Sequence, residues 1–236
     1  MKKSKYLFVF GVFIFIFTFF SVSSKISFDN IFGLGSGSEL EKGNIELGKP
    51  VFIRIFKEER ELEIWQENTA GKYELYKAYD ICMYSGGLGP KKKEGDKKTP
   101  EGFYSTEKSS LNPNSSYHLS FNIGYPNEYD KAHGYTGSLI MIHGDCVSIG
   151  CFAMTDPYIE EIYTIVEKAL TSGQKKIYIH VFPFKMTTKN MSKYSGSEYY
   201  DFWKELKPGY DYFEKNKTVP IVGVIDKKYV LEEQAE

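Results

Sequence analysis

The sequence predicts an α+β fold that is mainly β-structure. Short apolar runs, some with alternating polar positions, recur between residues 51 and 83, a pattern typical of strands. Residues 156–172 instead carry apolar side chains at helical spacing, and another short apolar run follows at residues 176–182. Strands on both sides of one long helix indicate a mixed fold.

Three strands open the folded part of the chain and are predicted to form an antiparallel meander. Residues 51–56 form an apolar run, and residues 61–65 alternate polar and apolar side chains. A turn sequence then leads to a third predicted strand at residues 73–83. Further strands are predicted at residues 102–106, 117–123 and 138–142. The last of these brings His143 to the end of a strand.

A long polar loop separates the third and fourth predicted strands. Residues 85–101 are rich in glycine and lysine. Loops of this length usually either line a site or are disordered. Tyr84, Ser85 and Gly86 are therefore candidates for one side of a substrate groove, with an ordinary turn as the alternative interpretation.

One helix is predicted directly after the turn that contains Cys151. Asp156 is expected to cap it, Pro157 suits its first turn, and Gly173 ends it. One face of this helix is apolar and consists of Ile159, Ile162, Tyr163, Val166, Ala169 and Leu170. A strand is expected to follow at residues 176–182.

The two ends of the chain are predicted to lie outside the main domain of residues 50–184. Residues 1–24 combine lysines with an apolar run and a serine-rich end, typical of a signal peptide, with an uncleaved membrane anchor as the alternative. Residues 25–49 are interpreted as a linker. Residues 185–236 form an aromatic-rich extension, expected to pack on the domain with a helix near 199–206 and a strand near 219–225. The protein is thus expected to be exported to the periplasm or cell envelope.

Composition narrows the functional classes. Thirty basic and 31 acidic residues leave a net charge of −1, and they are interleaved, so no basic face for nucleic acid is expected. Three cysteines in an exported chain leave at least one thiol unpaired, for which we favour Cys151. Cys82 and Cys146 could form a disulfide, or all three thiols could be reduced. A bond between Cys146 and Cys151 would switch off a thiol site.

His143 and Cys151 form a candidate pair of base and nucleophile. A free thiol has a pKa of about 8.5, so a cysteine enzyme needs a neighbouring base to form the thiolate at neutral pH. His143 stands eight positions before Cys151 (151 − 143). Cys151 is also predicted to lie between a strand and a helix, where backbone N–H groups lack partners and can stabilise negative charge.

These residues resemble the YkuD-type L,D-transpeptidase catalytic domain. The family has His-Gly at a strand end and a Ser-x-Gly-Cys turn, which here are His143-Gly144 and Ser148-Ile149-Gly150-Cys151. Residues 99–104 (TPEGFY) and 125–127 (YPN) also resemble family segments. Two departures, Ile149 in place of a second histidine and a shorter gap from His to Cys, resemble the divergent YafK-like branch. The resemblance implies a mixed β-sandwich with a helix after the cysteine.

The resemblance also implies roles for the residues of the turn. Cys151 would be the nucleophile and His143 the general base, oriented by the backbone carbonyl of Gly144, with Asp145 a weaker choice. An oxyanion would be held by backbone N–H groups of the turn, namely those of Ser148, Ile149, Gly150 and Cys151. Apart from the resemblance, His133 precedes this segment closely enough to lie near the groove, with an ordinary surface position as the alternative. No cofactor is required, and no metal is expected because the four histidines are dispersed over different predicted elements.

The reaction implied is attack of Cys151 on an L-to-D peptide bond in a peptidoglycan stem peptide. Transfer of the acyl group to an amine gives a transpeptidase, and transfer to water gives an L,D-endopeptidase. A wall-attached lipoprotein is an alternative partner, and a non-catalytic wall-binding module is the further alternative. Elsewhere, Arg54 could receive a stem-peptide carboxylate, although a surface strand position is favoured, and His180 is expected in a structural role.

Overall fold

The computed structural model describes residues 45–232. The predicted leader at residues 1–24 and nearly all of the predicted linker at 25–49 lie outside this range. Within it, no helix combines the length and the apolar character needed to cross a membrane.

A five-stranded mixed sheet forms one layer of the fold, with strand order β3-β2-β1-β9-β4. Its strands are β1 (Val51–Phe56), β2 (Glu61–Glu67), β3 (Tyr73–Asp80), β4 (Gly102–Thr106) and β9 (Ile177–Phe182). The first three pair antiparallel, which confirms the predicted meander. β9 returns parallel to β1 and antiparallel to β4, so the strand after the long helix is inserted into the middle of the sheet.

A second, four-stranded sheet carries the His143 and Cys151 region, in the order β5-β6-β7-β8. Its strands are β5 (Leu111–Ser115), β6 (His118–Asn122), β7 (Met141–His143) and β8 (Phe152–Ala153). A short helix, α1 (Glu128–Ala132), lies between β6 and β7. His143 is the last residue of β7, as predicted, although that strand begins three residues later than expected. β5 and β8 were not predicted.

The long helix α2 (Asp156–Thr171) follows β8 at once. All six members of the predicted apolar stripe are buried. The predicted cap is wrong by one residue: Thr155 is the N-cap, and Asp156 is the first helical residue. The Asp156 side chain is therefore free to bond elsewhere, and its Oδ1 accepts from Asp145 N at 2.7 Å.

The main core lies between the inner face of the five-stranded sheet, α2 and the four-stranded sheet. Ile53 and Ile55 of β1 pack there with Ile162 of α2 and with Ile142 and Phe152 of the smaller sheet, all fully buried. This arrangement confirms the α+β class. It also fixes β7 and β8, because the side chain that each contributes to the core holds the strand in register.

Residues after Pro183 cover the outer face of the five-stranded sheet. They form α3 (Thr188–Lys193), α4 (Tyr200–Asn216) and a separate hairpin of β10 (Val222–Ile225) with β11 (Lys228–Leu231). α4 is much longer than the predicted helix. A second aromatic core results, which includes Phe56, Phe182, Trp203 and Tyr210. Both faces of β1 are thereby buried.

The expectation that Arg54 lies on the surface is wrong. Its side chain is on the covered outer face of β1 and is only 2% exposed. Nη1 donates to Glu214 Oε1 of α4 at 2.7 Å, and the guanidinium lies 5.0 Å from the centre of the Phe213 ring. Arg54 therefore joins the sheet to α4, where no substrate carboxylate reaches it.

Candidate active site

Strand pairing brings Cys151 beside the strand that carries His143. β7 and β8 run parallel, with His143 opposite Ala153. Cys151 directly precedes β8, and its Sγ accepts from Met141 N at 3.4 Å. Met141 and His143 are two positions apart in β7, so their side chains lie on the same face. The thiol thus lies beside β7, the strand that ends in the imidazole.

The imidazole of His143 is held in a defined tautomer. Its Nδ1 lies 2.7 Å from the carbonyl oxygen of Gly144. Because a carbonyl only accepts, Nδ1 carries the proton and Nε2 presents a lone pair. Burial lowers the pKa of His143, against smaller opposing effects of the Gly144 carbonyl and Asp145. The imidazole is consequently neutral at pH 7 and able to accept a proton.

The thiol of Cys151 is also neutral. Burial raises its pKa, while the Met141 N–H and the distant charge of Lys91 act in the opposite direction. Sγ in turn lies 3.6 Å from the carbonyl oxygen of Leu139, to which it donates. The resting pair is therefore thiol and imidazole, and formation of a thiolate requires proton transfer to a base.

Ser148 closes the turn that presents the thiol. Its Oγ accepts from Cys151 N at 3.0 Å and donates to Cys151 O at 2.7 Å. Gly150 has φ +96°, a conformation that side chains rarely adopt, so glycine is required there. Ser148 and Gly150 together set the position of Cys151.

Most N–H groups of this turn already have partners. Gly150 N donates to Ser85 Oγ at 2.7 Å, and Ser148 N donates to Met83 Sδ at 3.3 Å. With the Cys151 N–H described above, three of the four expected oxyanion donors are engaged. Among residues 45–232, no acceptor meets the N–H of Ile149, whose side chain is 75% exposed.

The segment after His143 is held from two sides. Gly144 N donates to Tyr117 O at 3.0 Å, and Asp156 Oδ1 accepts from the next residue, Asp145. A Cβ at position 144 would lie 2.6 Å from Asp156 Oδ1 and 3.0 Å from Ile159 Cγ2. Gly144 is thus required by close packing, and its carbonyl, not the Asp145 carboxylate, is the group at hydrogen-bond distance from Nδ1.

A cavity of about 150 Å³ opens beside Cys151. One wall is the long loop, through Lys91, Glu94 and Lys97, and the other includes Leu139 and Ile149. Larger cavities lie elsewhere on the surface, away from Cys151. The cavity at Cys151 is the one that adjoins the candidate chemistry, so we take it as the candidate substrate site.

A disulfide joins Cys82 to Cys146, with Cα atoms 5.3 Å apart, and leaves Cys151 as the free thiol. Next to it, Met83 and Ala153 exchange two backbone hydrogen bonds. The disulfide therefore ties the segment after β3 to the turn that carries the thiol. This pairing is one of the alternatives that the sequence left open.

The predicted groove residues occupy different places. Ser85 contacts the turn directly, because its Oγ accepts from Gly150 N, and the same Oγ donates to Lys97 O at 2.6 Å. Gly86 packs tightly against Lys98, with φ +86°, and Tyr84 packs partly on the main core. His133 is apart from the cavity lining: its Nδ1 lies 2.9 Å from the Tyr129 carbonyl.

Several residues at the site were missed by sequence reasoning. Met141 and Leu139 contact the thiol through their backbone, and Lys91 lies in the cavity wall. The Tyr117 ring lies 5.0 Å from the His143 ring. No pattern marks Tyr117, whereas Met141 could have been found had the β7–β8 register been known. Within residues 45–232, no group of His, Cys, Asp or Glu could hold a metal ion.

Comparisons with known proteins agree on one family. Residues 50–179 match the YkuD family model, described as the L,D-transpeptidase catalytic domain. The chain is 51% identical over 185 residues to the protein of Escherichia coli (strain K12) named "Putative L,D-transpeptidase YafK", covering 78% of this chain and 75% of that protein.

Solved structures show weaker similarity. The helical cell shape determining protein Pgp2 from Campylobacter jejuni has a TM-score of 0.47 and 22% identity, covering 80% of this chain and 78% of that one. Bd1075 of Bdellovibrio bacteriovorus has a TM-score of 0.41 and 19% identity, with coverage of 83% and 81%.

Proposed function

Because the chain belongs to the YkuD family of L,D-transpeptidase catalytic domains, we propose that it forms a thioester between Cys151 and a peptidoglycan stem peptide. The single observation that carries this proposal is the free thiol of Cys151 beside β7, the strand that ends in His143, whose Nδ1 is held by the Gly144 carbonyl. Since peptidoglycan lies outside the cytoplasm, the proposal also implies action in the periplasm or cell envelope.

Acylation begins with transfer of the Cys151 proton to Nε2 of His143. The thiolate attacks the carbonyl carbon of an L-residue that is joined to a D-residue. The C–N bond then breaks, and the imidazolium returns its proton to the leaving amine. The Gly144 carbonyl supports both steps, because it accepts from Nδ1 more strongly while the ring is charged.

The oxyanion of the tetrahedral intermediate needs backbone donors near the thiol. The Ile149 N–H has no competing acceptor in residues 45–232, and Gly150 N–H becomes a second donor if the substrate oxygen replaces Ser85 Oγ. Each such donor is commonly worth about 3 kcal/mol of transition-state stabilisation. We therefore propose these two N–H groups, rather than all four of the turn, as the oxyanion site.

Resolution of the thioester gives either of two activities. An amine of a second stem peptide gives transpeptidation, which is the function we propose. Hydrolysis is the second candidate. The exposure of Ile149 supports it, because no part of residues 45–232 covers the turn on that side and water can reach it there. The substrate of a hydrolase could be a cross-linked stem or a stem attached to a wall lipoprotein.

Mass spectrometry of the protein with a tetrapeptide wall fragment tests the proposal. Loss of the terminal D-residue with formation of a dimer indicates transpeptidation, and tripeptide alone indicates hydrolysis. In either case an acyl adduct on Cys151 is expected. Cross-linked and lipoprotein-linked fragments extend the test to the other candidate substrates.

Two variants make this test specific. Cys151→Ala is expected to lose all turnover while keeping its thermal unfolding temperature, because the thiol is only half-buried. The double variant Cys82→Ala/Cys146→Ala keeps the free thiol and is expected to retain the adduct. Absence of an adduct and of product with every fragment rules out the enzyme proposal and favours a wall-binding module.

A further inference from the structure

Tyr117 covers the candidate base. Its ring centre lies 5.0 Å from that of His143, with the two planes inclined by 41°. Tyr117 is 47% exposed, whereas His143 is 3% exposed. The tyrosine thus lies between solvent and one side of the imidazole, and it contributes little to any core.

The backbone holds Tyr117 in this place. It is the second residue of the two-residue turn between β5 and β6, where Ser115 pairs with His118. Tyr117 N donates to Ser115 Oγ at 3.0 Å, and Tyr117 O accepts from Gly144 N at 3.0 Å. Gly144 therefore joins both partners: its N–H holds the hairpin and its carbonyl holds the imidazole.

A contact with α2 fixes the same hairpin from outside. His118 Nε2 lies 2.8 Å from Glu160 Oε1. The backbone around Tyr117 is consequently held by three elements, namely the hairpin, the segment after β7 and α2. A half-exposed aromatic ring that lies 5.0 Å from a proposed base, on a backbone held from three sides, indicates a role at that base.

The ring and the cavity lie at different parts of the site. The cavity beside Cys151 is lined by Leu139, Ile149 and the long loop, and Tyr117 is not part of this lining. A substrate in the cavity therefore does not shield the Tyr117 side of His143, and the Tyr117 ring is what covers that side while the thioester is resolved. In that step the attacking amine or water gives a proton to Nε2, the C–S bond breaks and the imidazolium protonates Cys151 Sγ.

We infer that Tyr117 is a positioning residue, which by covering His143 limits the access of water to the base and so favours an amine over water in resolving the thioester. This inference rests on the proposed function. Burial is the main cause of the lowered pKa of His143, in agreement with such a cover. The other ionisable groups around the imidazole are Cys151, Asp145, Asp156 beside Gly144, and the His118–Glu160 pair on the hairpin and α2.

The test compares Tyr117→Ala with Tyr117→Phe in the full chain. Tyr178→Ala is the matched control, because Tyr178 is similarly exposed at 41% but lies in β9 of the other sheet. The first readout is the pKa of His143, from NMR titration of labelled histidines with His143→Gln for assignment. The second is the ratio of hydrolysis to aminolysis of the Cys151 thioester with a D-amino acid as added acceptor.

For Tyr117→Ala, the pKa of His143 is expected to rise toward its ordinary value of about 6.5. The ratio of hydrolysis to aminolysis is expected to rise by at least ~3-fold, because water exclusion is what the ring supplies. Tyr117→Phe is expected to match the wild type in both readouts, since it keeps the ring. Tyr178→Ala is also expected to match the wild type, because Tyr178 lies in the other sheet.

Three results overturn the inference. An unchanged pKa in Tyr117→Ala shows that the ring does not cover the base. A changed pKa of His143 with an unchanged ratio of hydrolysis to aminolysis shows a purely structural role. The same conclusion follows if no variant shows any aminolysis. Equal effects in Tyr117→Phe and Tyr117→Ala assign the effect to the hydroxyl. By contrast, failure of the wild type to form any thioester marks the failure of the proposed function itself.

Discussion

The candidate site depends on two groups that are both uncharged at rest. Burial lowers the pKa of His143 and raises that of Cys151, so each shift opposes formation of an ion pair. The proposed chemistry therefore requires general-base transfer at the moment of attack rather than a pre-formed thiolate. The Gly144 carbonyl sets the tautomer that makes this transfer available at Nε2.

The pH dependence of acylation should reflect this neutral pair. Because the pKa of His143 is lowered, kcat/KM is expected to stay on its plateau down to about pH 6.5 and to fall only below it, as the imidazole gains a proton. Alkylation of Cys151 by iodoacetamide, measured across pH, should remain slow at pH 7. Rapid alkylation persisting to pH 5 would show a thiolate–imidazolium pair and contradict the prediction. No other thiol interferes, because Cys82 and Cys146 are paired.

Gly144→Ala should damage both stability and acylation. The added methyl group would meet Asp156 Oδ1 at 2.6 Å, so either this carboxylate must leave its hydrogen bond to Asp145 N or the segment after His143 must move. We expect a loss of about 1–3 kcal/mol in the free energy of unfolding, typical of overpacking, together with slower adduct formation. Gly196→Ala is the matched control, since a Cβ there meets nothing within 4 Å. Equal behaviour of the two variants in urea unfolding would contradict this account.

At the level of elements, two short strands form the site. β7 and β8 have three and two residues, too few to define a stable pair alone. Their register is fixed by the core side chains Ile142 and Phe152 and by the bridge from Met83 to Ala153. The disulfide to Cys146 adds a covalent link beside this bridge. The turn is thus held by its surroundings rather than by its own strands.

Removal of the disulfide should destabilise the protein measurably. The two cysteines are 64 positions apart, and closing a loop of that length in the unfolded chain is worth up to about 4 kcal/mol in the chain-entropy model. Cys82→Ala/Cys146→Ala is expected to lose stability of that order in urea unfolding. Wild-type protein in reducing agent should unfold at the same urea concentration as the variant. An unchanged midpoint in both cases would show that the link contributes nothing to stability.

In the molecule as a whole, the residues after Pro183 support one wall of the cavity as well as the sheet. Trp203 Nε1 of α4 donates to Glu101 Oε2 at 2.7 Å, and Glu101 Oε1 accepts from the fully buried Lys57 at 3.0 Å. Glu101 Oε1 also accepts from Gly89 N, within the long loop. The ring of Tyr199 packs against the same glycine, Gly89. The C-terminal region therefore fixes the loop that lines the cavity.

Trp203→Phe tests this connection. The variant keeps an aromatic ring but leaves a buried carboxylate oxygen without its donor, which is expected to cost about 1–3 kcal/mol in the free energy of unfolding. Trp65→Phe also removes an indole donor, from Glu63 Oε2, but that oxygen keeps Arg54 beside it at 3.5 Å. We expect the smaller loss there. A greater loss for Trp65→Phe would argue against a special role of the Glu101 contact.

Much of the fold follows from local pattern. Residues 61–65 alternate polar and apolar side chains, and α2 carries an apolar stripe. Each pattern indicates an element with a buried face, so both elements were predicted. The His-Gly and Ser-x-Gly-Cys sequences also marked the candidate site residues, because close packing at Gly144 and the positive φ of Gly150 favour glycine at those positions. The cap of α2 was misplaced because Asp156 bonds to Asp145 rather than to its own helix.

The sequence by itself determined that a thiol lies on a turn before a helix and an imidazole at the end of a nearby strand, since both belong to one short segment. Only the tertiary structure decided that Cys82 pairs with Cys146, that Ser85 Oγ accepts the hydrogen bond of Gly150 N and that the Tyr117 ring lies beside His143. Each of these contacts joins residues far apart in the chain. Such contacts depend on strand register and core packing, which local sequence patterns do not encode.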